Sequence, residues 1–190
     1  MNETELKKKI DEQIKKLVNE KGIHLFCSNS ESYHKVNEII LKELTIKYKL
    51  KGIYITLNMS HSTLENHLIN KGIDVSKLHF IDSMDRKDLK SSKADNCTFV
   101  PNPQALTELS LAITNLINTG KYDFLFLDSI STLLVYHSLK TTAQFTNYLM
   151  NKLRNFNLRA IIISLNDDEE SKKLIPIISQ FCDECVQLYM

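Results

Sequence analysis

Residues 122–134 read Tyr-Asp-Phe-Leu-Phe-Leu-Asp-Ser-Ile-Ser-Thr-Leu-Leu, four apolar residues in a row (Phe124 to Leu127) that end in Asp128 and a hydroxyl-bearing turn. A strand that is apolar on both faces belongs in a parallel sheet covered by helices on both sides. The segment Arg-Ala-Ile-Ile-Ile-Ser-Leu (159–165) has the same character. Outward from these two, apolar runs at 23–27 (IHLFC), 53–57 (IYITL), 78–81 (LHFI) and 185–189 alternate with helical periodicity near 34–49, 62–71, 104–118, 141–156 and 169–180. This βα rhythm predicts an α/β fold, a three-layer α/β/α sandwich around a mostly parallel sheet. The long polar connection from 82 to 103 reads as a solvated insertion.

Composition narrows the function. The chain has 190 residues, 24 Lys plus Arg against 23 Asp plus Glu, and a formal charge of +1. Phosphate-rich partners select a clear basic excess, so a strong nucleic-acid or acidic-membrane binder is disfavoured. No apolar run approaches the ~20 residues that span a bilayer, and the charged first twenty residues are unlike a signal peptide; a cytoplasmic protein is expected. Cys27, Cys97, Cys182 and Cys185 are too few and too scattered for a disulfide framework. Reduced thiols are expected.

Residues 2–20 form an amphipathic helix, with Leu6, Ile10, Leu17 and Val18 on one stripe and Glu3/Lys7, Glu5/Lys9 and Glu12/Lys16 spaced as i,i+4 pairs. Gly22 is placed to end it. The division expected is residues 1–22 as this helix and 23–190 as one domain. The stripe either covers a face of the sheet or docks on a partner subunit.

In an open parallel sheet, ligands bind beyond the carboxyl ends of the strands. There the chain places Ser28 to Lys35 after the first strand, Asn58 after the second, Asp128-Ser129 after the fourth and Asn166-Asp167-Asp168 after the fifth. The four-apolar-then-Asp pattern at 124–128 looks like a Walker B segment, whose carboxylate holds magnesium. Together with residues 53–84, 102–117 and 145–164, it resembles RecA-type P-loop ATPases of the KaiC-like branch, in particular small archaeal KaiC-like proteins described as signal-transduction ATPase homologues. The likeness covers about residues 23–189. It implies a RecA-like P-loop NTPase fold with core strand order 5-1-4-3-2.

The departures from that family carry the functional reading. A phosphate-binding loop needs G-x-x-x-x-G-K-[ST], because glycine lets backbone N–H groups approach the phosphates. Here the window reads Ser28-Asn29-Ser30-Glu31-Ser32-Tyr33-His34-Lys35, without a glycine, with Lys35 one position late and Val36 behind it. The four glycines lie elsewhere, at helix ends or before strands, where positive φ is useful. Glu31 adds a negative charge, and a carboxylate ~4 Å from a phosphate costs about 4 kcal/mol at an effective dielectric near 20. Asn58 stands where the resemblance places the glutamate that serves as base for the attacking water, and an amide cannot take that proton. The vestigial pocket is therefore expected to comprise Ser28, Ser32, Tyr33, His34, Lys35, Asp128 and Ser129, with Asp128 a remnant.

The expected function is a degenerate, non-hydrolysing KaiC-like domain that acts through protein–protein contact, in a homo- or hetero-oligomer with KaiC/RecA-like subunits, and needs no cofactor. The alternative is an atypical ATPase in which Lys35 or His34 replaces the P-loop lysine and Asp128 holds magnesium beside ATP. Cys182-Asp183-Glu184-Cys185 is a C-x-x-C without a second such pair, so buried or half-buried thiols are expected over zinc or redox chemistry. His61 and His67 do not share a helical face as metal ligands would, and no nucleophile elbow supports a Ser-His-Asp triad.

Overall fold

The structure, a computed structural model, describes residues 1–84 and 94–189. In chain order the elements are α1 (Glu3–Glu20), β1 (Ile23–Ser28), α2 (Ser30–Lys42), β2 (Gly52–Thr56), α3 (His61–Asn70), β3 (Leu78–Asp82), β4 (Cys97–Phe99), α4 (Leu106–Asn118), β5 (Phe124–Asp128), α5 (Leu139–Asn155), β6 (Arg159–Leu165), α6 (Glu169–Ser179) and β7 (Glu184–Leu188). A π-helical turn, Glu43–Lys47, continues α2, and a 3₁₀ segment, Ile130–Val135, follows β5.

The strands form one sheet in the order β4-β3-β2-β5-β6-β1-β7, with every pairing parallel. The expected core order is contained in it. Numbered among themselves, β7, β1, β6, β5 and β2 stand as 5-1-4-3-2, and β3 and β4 extend the sheet beyond β2. β4 falls inside the stretch read from sequence as a solvated connection; residues 85–93 of that stretch lie outside the described residues.

Because side chains alternate across a strand, the doubly apolar strands build two cores. Leu125, Leu127, Ile53, Ile55, Ala160 and Ile162 face Ile113 of α4, Leu149 of α5 and Ile178 of α6. Phe124, Phe126, Tyr54, Ile161 and Ile163 face α1, α2 and α3. Each fully buried Leu, Ile or Phe contributes roughly 1.5–3 kcal/mol relative to exposure. The strands hold the sandwich together because both faces contribute.

The helix α1 joins the second core through Leu6, Ile10, Ile14 and Leu17, which answers the ambiguity over its stripe: it covers the sheet of its own chain. Val18, placed on that stripe from sequence, is only partly buried, and Ile14 takes its share. The expected i,i+4 pairs give way to tertiary ones, since Glu3 meets Lys35 at 2.8 Å and Lys16 pairs with Glu184. Lys21, with φ 55°, caps α1 in the left-handed region, one residue ahead of the glycine expected to end it.

Gly52 is also not a positive-φ position, unlike Gly72 and Gly120. It lies opposite Phe124 in the ladder, and a Cβ there would stand 2.2 Å from the Phe124 ring. The glycine makes room for an aromatic ring on the central strand. Gly52→Ala is expected to cost about 3 kcal/mol, the upper end of overpacking penalties. Urea unfolding reads this as a lower midpoint, partly restored in Gly52→Ala/Phe124→Leu; an unchanged midpoint in the single variant would contradict the close packing.

Candidate functional site

The site is built where β1, β2 and β5 end. β1 stops at Ser28 and α2 begins at Ser30, so Asn29 alone joins them and caps the helix, its side chain accepting from Ser32 N at 3.1 Å. Residues 30–35, read from sequence as a loop preceding a helix near 34, are thus the first turns of that helix. The signal was present: Asn29 followed by hydroxyl and acidic residues is an N-terminal capping pattern. A further backbone donor of this terminus, Ser30 N, is satisfied by Asp167 Oδ2 at 2.8 Å. A helix N-terminus is an anion site because its first N–H groups lack partners. Here a carboxylate from the β6–α6 turn fills that role.

The early start of α2 carries Tyr33 inward. Its ring is buried and its hydroxyl donates to Asp128 Oδ1, while the hydroxyl of Tyr54, from β2, donates to Oδ2. Both oxygens of the Walker-B-like carboxylate are engaged by tyrosines. Asn58 Nδ2 donates to the Tyr33 hydroxyl at 3.0 Å. The side chain of Asn37, one turn along α2, lines the same cavity as Tyr33 and Asp128, and its Oδ1 is left without a donor. The Tyr54 ring stacks on Phe126 at 5.0 Å, which locks the platform beneath Asp128.

Burial dominates the electrostatics. It pushes the Asp128 carboxyl above the usual range, against the opposing effect of the hydrogen bonds from Tyr33, Tyr54 and Asn37. It also raises both tyrosine hydroxyls, helped by the adjacent Asp128 charge, so each remains a donor.

Of the sequence-selected residues, Tyr33, His34, Asp128 and Asn58 meet around one cavity, with Tyr54, Asn37 and His67 added by the fold. Its volume is about 30 Å³. The His34 ring lies 4.8 Å from Tyr33 and 5.7 Å from His67. The other four stand apart. Lys35 points to α1 and pairs with Glu3 at 2.8 Å. Ser28 and Ser32 bond to each other at 2.9 Å, and Ser32 Oγ donates to Leu188 O of β7 at 3.2 Å. Ser129 Oγ turns into its own 3₁₀ segment, 3.0 Å from Ser131 Oγ and 2.9 Å from Thr132 Oγ1. The pocket drawn from sequence therefore splits: Ser28 ends β1, Ser32 and Lys35 lie on other faces of the first turns of α2, and Ser129 leads into the 3₁₀ segment.

The comparisons with known proteins agree with this frame. A family model described as ATPase: KaiC matches residues 41–189, a span that begins within α2, beyond the Ser28–Lys35 window. Among solved structures, a KaiC-like protein from the hyperthermophilic archaeon Pyrococcus horikoshii OT3 matches with a TM-score of 0.66 and 13% identity, over 89% of this chain and 71% of that one. At that identity the likeness is one of fold. A search of curated proteins finds no match.

Two variants probe the buried cluster. Tyr33→Phe removes one donor from a buried carboxylate and should cost about 1–3 kcal/mol of stability in urea unfolding; no change would detach Tyr33 from Asp128. Asp128 binds its proton more tightly folded than unfolded, so its contribution is fully present below the unfolded value near ~3.9 and is lost as pH rises through the raised folded value. The stability of Asp128→Asn relative to the parent should therefore climb with pH above about 4 and then level. A difference flat with pH would mean that the carboxyl is unperturbed.

Proposed function

The chain belongs to the KaiC ATPase family, and from that premise we propose that it is a non-hydrolysing member whose own helix α2 stands in the nucleotide's place. The observation that carries this reading is the Tyr33 hydroxyl on Asp128. Sites for small ligands usually enclose about 300–1,000 Å³, whereas the remnant here has about 30 Å³, the scale of one water molecule. Magnesium keeps several waters in an octahedral shell. Asp128, with both oxygens engaged and Tyr33 against it, is a poor fit to that ion. Asp167 on Ser30 N competes with a phosphate for the helix terminus, and Asn58 supplies no base.

The residues present do not fit ATP and magnesium as they stand, so no phosphoryl-transfer step is assigned to them. Of the two residues the ATPase alternative would use, Lys35 pairs with Glu3 of α1, and His34 lines the small cavity beside Tyr33. What this frame retains is surface. Leu111 is 57% and Val135 78% exposed on the layer opposite α1, apolar area of the kind that protein contacts cover. The role that follows is association with a partner, such as a KaiC/RecA-like subunit whose nucleotide site is intact.

Titration calorimetry with magnesium-ATP should give no heat of binding, and a phosphate-release assay no rate above that of the buffer. Micromolar binding accompanied by phosphate release would sink the non-hydrolysing reading. For the partner, light scattering of the chain alone and co-expressed with an active KaiC-family ATPase should show a larger, mixed assembly. A monomer in both samples would remove that part of the proposal.

A further inference from the structure

Three of the four cysteines, distant in sequence, meet at one edge of the sheet. In the β1–β7 ladder, Leu25 stands opposite Cys185 and Cys27 opposite Gln187, so Cys27 and Cys185 project from the same face, one diagonal step apart. Cys182, in the turn before β7, donates to Ile178 O at 3.4 Å and lies 4.0 Å from Met150 Sδ. Exposure grades across the three: Cys27 is buried, Cys182 partly buried and Cys185 exposed.

Cysteine is among the most buried residue types and usually serves as a small apolar filler. That accounts for Cys27, but not for an exposed thiol on an edge strand facing it. A metal centre does not account for it either. Among the described residues, no group of three or more His, Cys, Asp or Glu side chains is arranged to hold a metal ion.

We propose that Cys27 and Cys185 form an oxidant-sensitive dithiol, in which Cys185 is the thiol oxidised first and Cys27 the thiol that resolves it. The co-reactant is a hydroperoxide. The Cys185 sulfur attacks the terminal peroxide oxygen, the O–O bond breaks, and the products are Cys185 sulfenic acid and an alcohol, or water from hydrogen peroxide. The Cys27 thiol then displaces the sulfenic oxygen as water and forms the disulfide. The two sulfurs lose two electrons in all, taken up by the peroxide. Cys27 is the resolving partner because it shares a face of two adjacent strands with Cys185, whereas Cys182 is turned toward Ile178 and Met150.

The bond needs a small movement. With strands near 4.8 Å apart and a rise near 3.3 Å per residue, a diagonal pair has Cα atoms about 8 Å apart, against a limit near ~7 Å for a disulfide. About an ångström must be closed. β7 is an edge strand, paired only with β1, and can supply it. Gln187 O accepts from Lys9, and one residue on, where the strand ends, Leu188 O accepts from Ser32 in the first turn of α2. A link at Cys185 would thus tie down the strand against which that turn is braced.

The test treats the purified, reduced full chain with a few equivalents of hydrogen peroxide, alkylates the remaining thiols and maps the unreduced peptides by mass spectrometry. The expected product is a monomer about 2 Da lighter, with two thiols lost, a Cys27–Cys185 peptide and full reversal by dithiothreitol. Cys27→Ala should leave Cys185 as sulfenic or sulfinic acid. Because that variant alters the core, Cys185→Ser, changed only at an exposed position, is the second arm, and in it Cys27 should remain reduced. A Cys182–Cys185 link, a dimer joined through Cys185, oxidation of Cys185 with Cys27 untouched, or no reaction would each overturn the proposal.

Discussion

A carboxylate buried in a protein interior must be paired, hydrogen-bonded or protonated, since an uncompensated charge there costs several kcal/mol. Asp128 sits in that situation at the end of the central strand β5, and everything around it answers the need. Tyr33 and Tyr54 donate to its two oxygens, Asn58 donates to Tyr33, and Phe126 supports Tyr54 from below. The tyrosine that completes this shell comes from α2. The position of α2 relative to β5 therefore follows from a local electrostatic requirement, and with α2 in that position the space beyond β1 closes.

The same economy appears at the helix terminus. In a frame built to receive an anion, the backbone donors at the start of α2 would wait for a ligand. In this chain Asn29 and Asp167 satisfy two of them, Ser32 N and Ser30 N, from within, at 3.1 and 2.8 Å. The two halves of a phosphate site, donors at the helix end and a carboxylate at the strand end, are both present. Each is occupied by the chain's own side chains, which connects the family's fold with the proposed loss of its chemistry.

Much of the fold was legible in the sequence because buried parallel strands leave an unmistakable signature: Phe124–Leu127 and Ala160–Ile163 are apolar without interruption. The core strand order came from the family resemblance, which no single strand encodes. β4 was missed because Cys97–Phe99 is short and only half-buried, so neither length nor alternation marks it. At the site, Tyr33, His34, Asp128 and Asn58, all named from the sequence, line one small cavity. Lys35, Ser28, Ser32 and Ser129 were grouped with them by proximity in sequence, an assumption that holds for a loop and fails for a helix, where successive residues face different ways. Tyr54 and Asn37 were not selected, since a tyrosine in an apolar strand or an asparagine within a helix gives no local sign of what lies opposite, and Asp167 was named at a strand end without its partner Ser30.

What the sequence determined by itself is what depends on pattern: the layered α/β class, the amphipathic face of α1, the absence of glycine from residues 28–35, and the amide at position 58. What only the tertiary structure decided is which groups meet. That Asp128 is held by tyrosines, that Asp167 caps α2, that Lys35 leaves the site for Glu3, and that Cys27 lies one diagonal step from Cys185 each joins residues between 32 and 158 positions apart. Periodicity tells which face of an element is buried, but the partner across the gap is set by packing, and packing is a property of the whole chain.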